Sequence, residues 1–198
     1  MMGVWKRLGF ALFSLLPLGV AVTASAVSAP DPACIATPAA AAAQPDARRA
    51  WSADQRWRYR SDEEADTAYR TLLGCESPWP EWHQVNVVTL PRGLRFQMAL
   101  APGQPADRPG AFGTFDPIPD VEFVRRSLAV KQAWKRAIDR VVTYEVVAPL
   151  SADVGTVGPQ IDAETGRYLP GGGSQLQMTV PAAERMQHLQ VVGERPIQ

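Results

Sequence analysis

Strict alternation of apolar and polar side chains predicts strands in several parts of the chain. Leu94, Phe96, Met98 and Leu100 alternate with Arg95, Gln97 and Ala99. Val85 to Leu90 precedes them across Pro91-Arg92-Gly93, a short loop with the composition of a hairpin turn. A β-branched run, Arg140 to Val147, predicts another strand that stops at Ala148-Pro149. Leu176, Met178 and Val180 alternate with Gln175, Gln177 and Thr179, and Val191-Val192 marks a final strand. Helical spacing is rarer. Ser61-Asp62-Glu63-Glu64 is a capping box that opens a helix through Ala68, Tyr69, Leu72 and Leu73 to Gly74. Asp120 predicts the cap of a short helix, and Leu128, Val130, Trp134, Ala137 and Ile138 predict a second helical stretch. Ala182 to Leu189 predicts a last short helix. There is no internal repeat, and the fold class is α+β: a small, mostly antiparallel sheet with a few helices.

Two interruptions stand out. Ala101 to Pro119 is a long loop rich in proline and glycine, containing Asp107-Arg108-Pro109-Gly110 and Phe112-Gly113-Thr114-Phe115. Loops of this length are functional or disordered more often than not. The other is Pro170-Gly171-Gly172-Gly173, which opens directly onto Ser174-Gln175. Glycines let a backbone approach a neighbour closely, and the strand behind them carries a row of amides on its polar face. The same pattern also suits a glycine hairpin with a solvated face.

Lys6 and Arg7, the apolar run Leu8 to Val22, and small residues up to Ala26 and Ala29 form a secretory signal peptide over residues 1–29. Residues 30–49 are rich in alanine and proline and read as a mobile leader; residues 50–198 read as one domain. The mature chain of about 170 residues can bury one proper core. Export places the product in the periplasm or outside the cell, off the membrane once the signal is cut. The formal net charge is +0, which gives no electrostatic case for nucleic acid. The two cysteines, Cys34 and Cys75, both follow the signal, so in an oxidising compartment they are expected to form one structural disulfide.

Candidate chemistry is sparse. Two histidines, His83 and His188, and no Gly-x-Ser-x-Gly leave no nucleophile elbow and too few ligands for zinc, so no metal is expected. Carboxylates such as Asp116, Asp120, Glu122, Glu145, Asp162 and Glu164 are numerous, but the sequence does not pair them. Arg108 and Arg126 have the planar fork that suits a diphosphate, and with Gln175 they would supply a cationic cradle and an amide.

The order of these pieces resembles the tuberculosis necrotizing toxin (TNT) family of NAD glycohydrolases. The resemblance rests on Asp107-Arg108-x-Gly110, Arg126-Ser127-Leu128, Tyr144-x-Val146-x-x-Pro149-Leu150, Gly155-x-Val157-x-Pro159 and Gly171-Gly172-Gly173-x-Gln175, from about residue 106 onward. It implies a secreted or toxin-borne domain that splits NAD, its substrate, into nicotinamide and ADP-ribose with no further cofactor. An inhibitory immunity protein would be its partner. The implied roles put Gln175 near the nicotinamide ribose as the catalytic residue. Arg108, Arg126, Gly172 and Gly173 fall at the substrate, and Phe115 in the pocket wall. The chain departs from the family where Val142-Thr143 replaces a histidine, Leu176 an aromatic and Gln160-Ile161 a Trp-Phe pair. Those departures keep a second reading open, a secreted nucleotide- or protein-binding module on the same scaffold without turnover.

Overall fold

A computed structural model describes residues 32–75, 77, 79 and 85–198. The segment expected to be a signal peptide, and His83, lie outside the described residues.

The described part opens with three α-helices, α1 (Pro38–Ala42), α2 (Pro45–Gln55) and α3 (Asp62–Gly74). Composition suggests a mobile leader for residues 30–49, but part of it is helical. Thr37 caps α1 and proline opens both α1 and α2 at a position where the missing N–H costs nothing. Ala41 and Ala47 are buried with Trp51, Ala65 and Tyr69. Alanine is small enough for these helices to approach closely, so its abundance serves packing rather than disorder. Ser61 caps α3 by accepting from the Glu64 amide, as the sequence predicts. Cys34 and Cys75 are bonded, with Cα atoms 4.9 Å apart, which ties the start of this helical unit to its end.

The rest is β-rich. β1 (Asn86–Leu90), β2 (Arg95–Leu100), the two-residue β3 (Phe112–Gly113), β4 (Arg140–Val146), β5 (Leu150–Thr156), β6 (Gln160–Asp162), β7 (Arg167–Leu169), β8 (Ser174–Met178) and β9 (Leu189–Pro196) all pair antiparallel. One sheet has the order β1-β5-β8-β3 and another β2-β4-β9. They join at a single bridge, where Gln97 and Thr114 exchange backbone bonds of 2.8 and 2.9 Å. A shared core fills the space between them, from Leu90, Phe96, Met98, Tyr144, Val146, Leu150, Leu176 and Met178. The β6-β7 hairpin stands apart and receives the helical unit: Ile161 and Tyr168 join its core, and the Tyr168 hydroxyl donates to Asp54 at 2.6 Å. This is the α+β, mostly antiparallel class.

Two local expectations are corrected. β1 and β2 are consecutive but not a hairpin: β1 pairs with β5 and β2 with β4, so Pro91-Arg92-Gly93 is the corner between sheets. Alternation fixes which side of a strand is buried and leaves its partner open. The stretch from Leu128 to Ile138 is not a helix. α4 (Val121–Arg126), capped by Asp120, ends at Ser127, and Ala129 has φ +48°. The buried Arg125 guanidinium then donates to the carbonyls of Val130, Lys131, Lys135 and Arg136, organising an irregular turn around itself. The last helix, α5 (Arg185–His188), is shorter than predicted, and the final strand β9 is longer.

Candidate functional site

The three glycines are a clamp. Gly171 N–H donates to the Arg126 carbonyl at 2.9 Å and Gly173 N–H to Ser127 at 3.0 Å, both at the end of α4. Gly172 N–H donates to Val157 at 2.9 Å, and Val157 N–H returns a bond to Gly173. Gly171 has φ +72°, and a side chain there would meet the Val157 and Gly158 carbonyls at 2.6 Å. Gly171 and Gly173 are therefore required by close passage against residues 157–158 and the end of α4, Gly172 only by its positive φ, and all three amides are spent on that packing rather than turned toward a ligand.

What the clamp positions is the start of β8. Ser174 N–H donates to Asp116 at 2.6 Å, while Ser174 Oγ lies 3.0 Å from Thr114 Oγ1 and accepts from the Phe115 and Asp116 amides. This hub ties the end of the long loop to the strand that carries Gln175. Gln175 pairs across the sheet with Gly155, so no side chain of β5 stands opposite it. It is 7% exposed, a buried amide in a strand.

Gln175 lines a cleft of about 610 Å³. The floor is β2 and the sheet junction, with Gln97, Ala99, Gly113 and Thr114. Val124, Leu128 and Val130 form an apolar wall from α4 and the turn after it. Phe112 and Trp134, 45% and 43% exposed, stand where large aromatics meet solvent. Lys135 Nζ donates to the Ala99 carbonyl at 2.5 Å and to Gln104 Oε1 at 3.4 Å. Burial, and secondarily the Arg125 charge, hold its pKa below that of an ordinary lysine. Lys135 is the one charged side chain among the described lining residues.

The other sequence-derived candidates lie around this cleft rather than in its lining. Arg108 and Arg126 are exposed, on segments whose neighbours line it: Gln104 and Gly110 flank the first, Val124 and Leu128 the second. Phe115 is half-buried against the main core, and Phe112, three residues earlier, is the aromatic that reaches the cleft. Gly172 is exposed and Gly173 buried, both in the clamp. His188 sits at the end of α5 with Nδ1 2.8 Å from the Pro149 carbonyl. Sequence reasoning missed Gln97, Gln104, Trp134 and Lys135. Gln97 had a signal, as a polar residue on the outer side of a clearly alternating strand. Lys135 had none, because only the turn built on Arg125 brings it to β2.

No family model and no curated protein matches the chain. Among solved structures, the chain is similar to Tne2 in its complex with Tni2. The likeness has a TM-score of 0.50 and 26% identity, and covers 60% of this chain and 97% of that one. Weaker likenesses are to Tse6 in complex with Tsi6 (16% identity, TM-score 0.39, 79% of this chain and 98% of that one). Another is to Rhs1-CT in complex with its cognate immunity protein RhsI1 (17%, 0.36, 58% and 80%).

Proposed function

We propose that this chain is an exported, toxin-like NAD glycohydrolase whose reaction takes place at Gln175. The observation that carries the reading is a buried glutamine that lines a cleft, on a strand whose start is fixed by the glycine clamp and the Ser174 hub. The pattern from Tyr144 to Gln175 that resembles the TNT family converges on the same residue. The likeness to Tne2, nearly that protein's full length, is compatible with it. Tne2 is solved with Tni2 bound, and an inhibitory protein partner for this chain belongs to the same proposal.

The chemistry is within reach of such a site. The bond from ribose C1′ to the nicotinamide nitrogen breaks, and nicotinamide leaves as a neutral molecule with the bonding pair. Water adds to C1′ and gives its proton to solvent, leaving ADP-ribose. A neutral leaving group needs no acid, so the missing histidine is no obstacle in principle. Stabilising the oxocarbenium-like transition state is a matter of positioning and fixed dipoles. Gln175 would orient a ribose hydroxyl, while the exposed Arg108 and Arg126 would act from the rim on the phosphates, with a salt-screened attraction.

Purified mature protein incubated with NAD is expected to release nicotinamide and ADP-ribose without an acceptor. Binding without release would replace the enzyme by the non-catalytic binding module, a reading favoured by the lack of histidine or carboxylate among the described lining residues.

A further inference from the structure

Lys135 is the group the sequence reading did not use. The residue lines the cleft, its ammonium donates to two neutral acceptors, the Ala99 carbonyl and Gln104 Oε1, and no carboxylate among the described residues pairs with it. A half-buried cation without a counter-ion is costly to maintain. Arg125, whose charge lies close enough to disfavour that of Lys135, adds to the cost. Among the described residues the ordinary solution, a neighbouring aspartate or glutamate, is not used, which leaves the described lining short of one negative charge.

Its place relative to Gln175 follows from the sheet. Gln175 on β8 lies beside β3, and β3 continues into the Thr114 bridge to Gln97 on β2. Two strand-to-strand steps separate Gln175 from Gln97, roughly 10 Å. Ala99, which holds the Lys135 ammonium, is two residues further along β2. Lys135 and Gln175 thus line one cleft at a spacing that a single nucleotide can bridge, its ribose at Gln175 and its diphosphate at Lys135. Arg108 and Arg126 are exposed to solvent and are not among the lining residues.

We propose that Lys135 is the binding residue that fixes the diphosphate of the ligand inside the cleft, which rests on the dinucleotide reading above and gives that site its internal anion subsite. Lysine suits this role as a compact point charge with a third donor left for a phosphate oxygen. The two bonds to Ala99 and Gln104 hold its stem, so little conformational freedom is lost when the anion arrives.

The test is equilibrium binding of inorganic diphosphate, ADP-ribose and adenosine to the mature protein and to three variants. Lys135→Gln keeps an amide donor but loses the charge, Lys135→Arg keeps the charge, and Arg136→Met removes a neighbouring exposed cation outside the cleft. Lys135→Gln is expected to weaken diphosphate and ADP-ribose by about 10–100-fold. Adenosine should bind unchanged, Lys135→Arg should retain most of the affinity, and Arg136→Met all of it. Equal binding of ADP-ribose by wild type and Lys135→Gln overturns the assignment, and so does a wild type that binds neither diphosphate nor ADP-ribose. A loss shared equally by Lys135→Gln and Lys135→Arg assigns the effect to packing and overturns it too. Nicotinamide release by wild type is scored separately. Release with unaltered Lys135→Gln binding leaves the glycohydrolase and removes the Lys135 role; charge-dependent diphosphate binding without release does the reverse.

Discussion

Gln175 and Gly171 are four residues apart, and their substitution should separate chemistry from architecture. Gln175→Ala removes an amide from the cleft while Leu176 and Met178, both fully buried, keep β8 on the core. A contact realised mainly in the transition state lowers kcat more than it raises KM. The expected outcome is therefore a large fall in kcat for NAD cleavage, a small change in KM and an unaltered melt. Unchanged kinetics would remove Gln175 from the reaction. Gly171→Ala should do the opposite. Its new methyl group would press on two backbone carbonyls at 2.6 Å from a residue held at φ +72°, and the Val157 carbonyl cannot swing aside without breaking its bond from the Gly172 amide. A loss of about 2–3 kcal/mol is expected from the strain and overpacking. Gly172→Ala faces open space and meets only the cost of its positive φ, about 1 kcal/mol. Chemical denaturation of the pair checks the order; equal losses would mean that the clamp does not depend on close passage.

The disulfide belongs to the scale of elements, because it closes the three-helix unit on itself. Cys34 and Cys75 are 41 positions apart, a loop for which the chain-entropy account gives about 4 kcal/mol. Cys75→Ser is expected to lower the melting temperature clearly, and hydrogen exchange should find α1 to α3 opening before the sheets. Protection lost uniformly across the molecule would contradict a local staple. The helices also show what could be read in advance. The capping box at Ser61 and the cap at Asp120 were legible because a cap is a local transaction between one side chain and one amide. So were β2, β4 and β8, whose alternation or β-branching is strong. Their partners were not legible, since β1 and β2 are joined by a turn that looks like a hairpin yet lie in different sheets. β5 alternates too, Leu150, Ala152 and Val154 against Ser151, Asp153 and Gly155, but alanine, aspartate and glycine are poor strand formers and masked it. The turn after α4 has helical spacing, and only Arg125, reaching carbonyls five to eleven residues ahead, removes the helix. Of the site, Gln175 was legible from its motif, whereas Lys135 depends on that same long-range turn.

Across the whole molecule the two packed bodies share a weakness toward alkali. Tyr144 is fully buried in the core between the sheets, where its hydroxyl donates to the Ala106 carbonyl at 2.7 Å. Burial, aided by the Glu194 charge, pushes its pKa up from 10.0 to about 12. Tyr69 and Tyr168 lie where the helical unit meets the β6-β7 hairpin, and both are raised, chiefly by burial; for Tyr168 the hydrogen bond to Asp54 adds to it. Each phenol holds its proton more tightly in the folded chain than in the unfolded one. Between the unfolded and folded values the native state binds more protons, so stability falls as pH rises. The tyrosine contribution is complete below pH of about 10 and is lost on the way to about 12 and above, with Tyr144 alone worth about 3 kcal/mol. Urea midpoints measured from pH 8 to 11 should change little from this source up to about pH 10 and then drop. Tyr144→Phe should start lower at pH 8 by about 1 kcal/mol, the worth of its hydrogen bond, and then decline less steeply than wild type. If the variant falls as steeply as wild type, Tyr144 does not govern the alkaline limit, and the fold must yield first where the helical unit meets the hairpin.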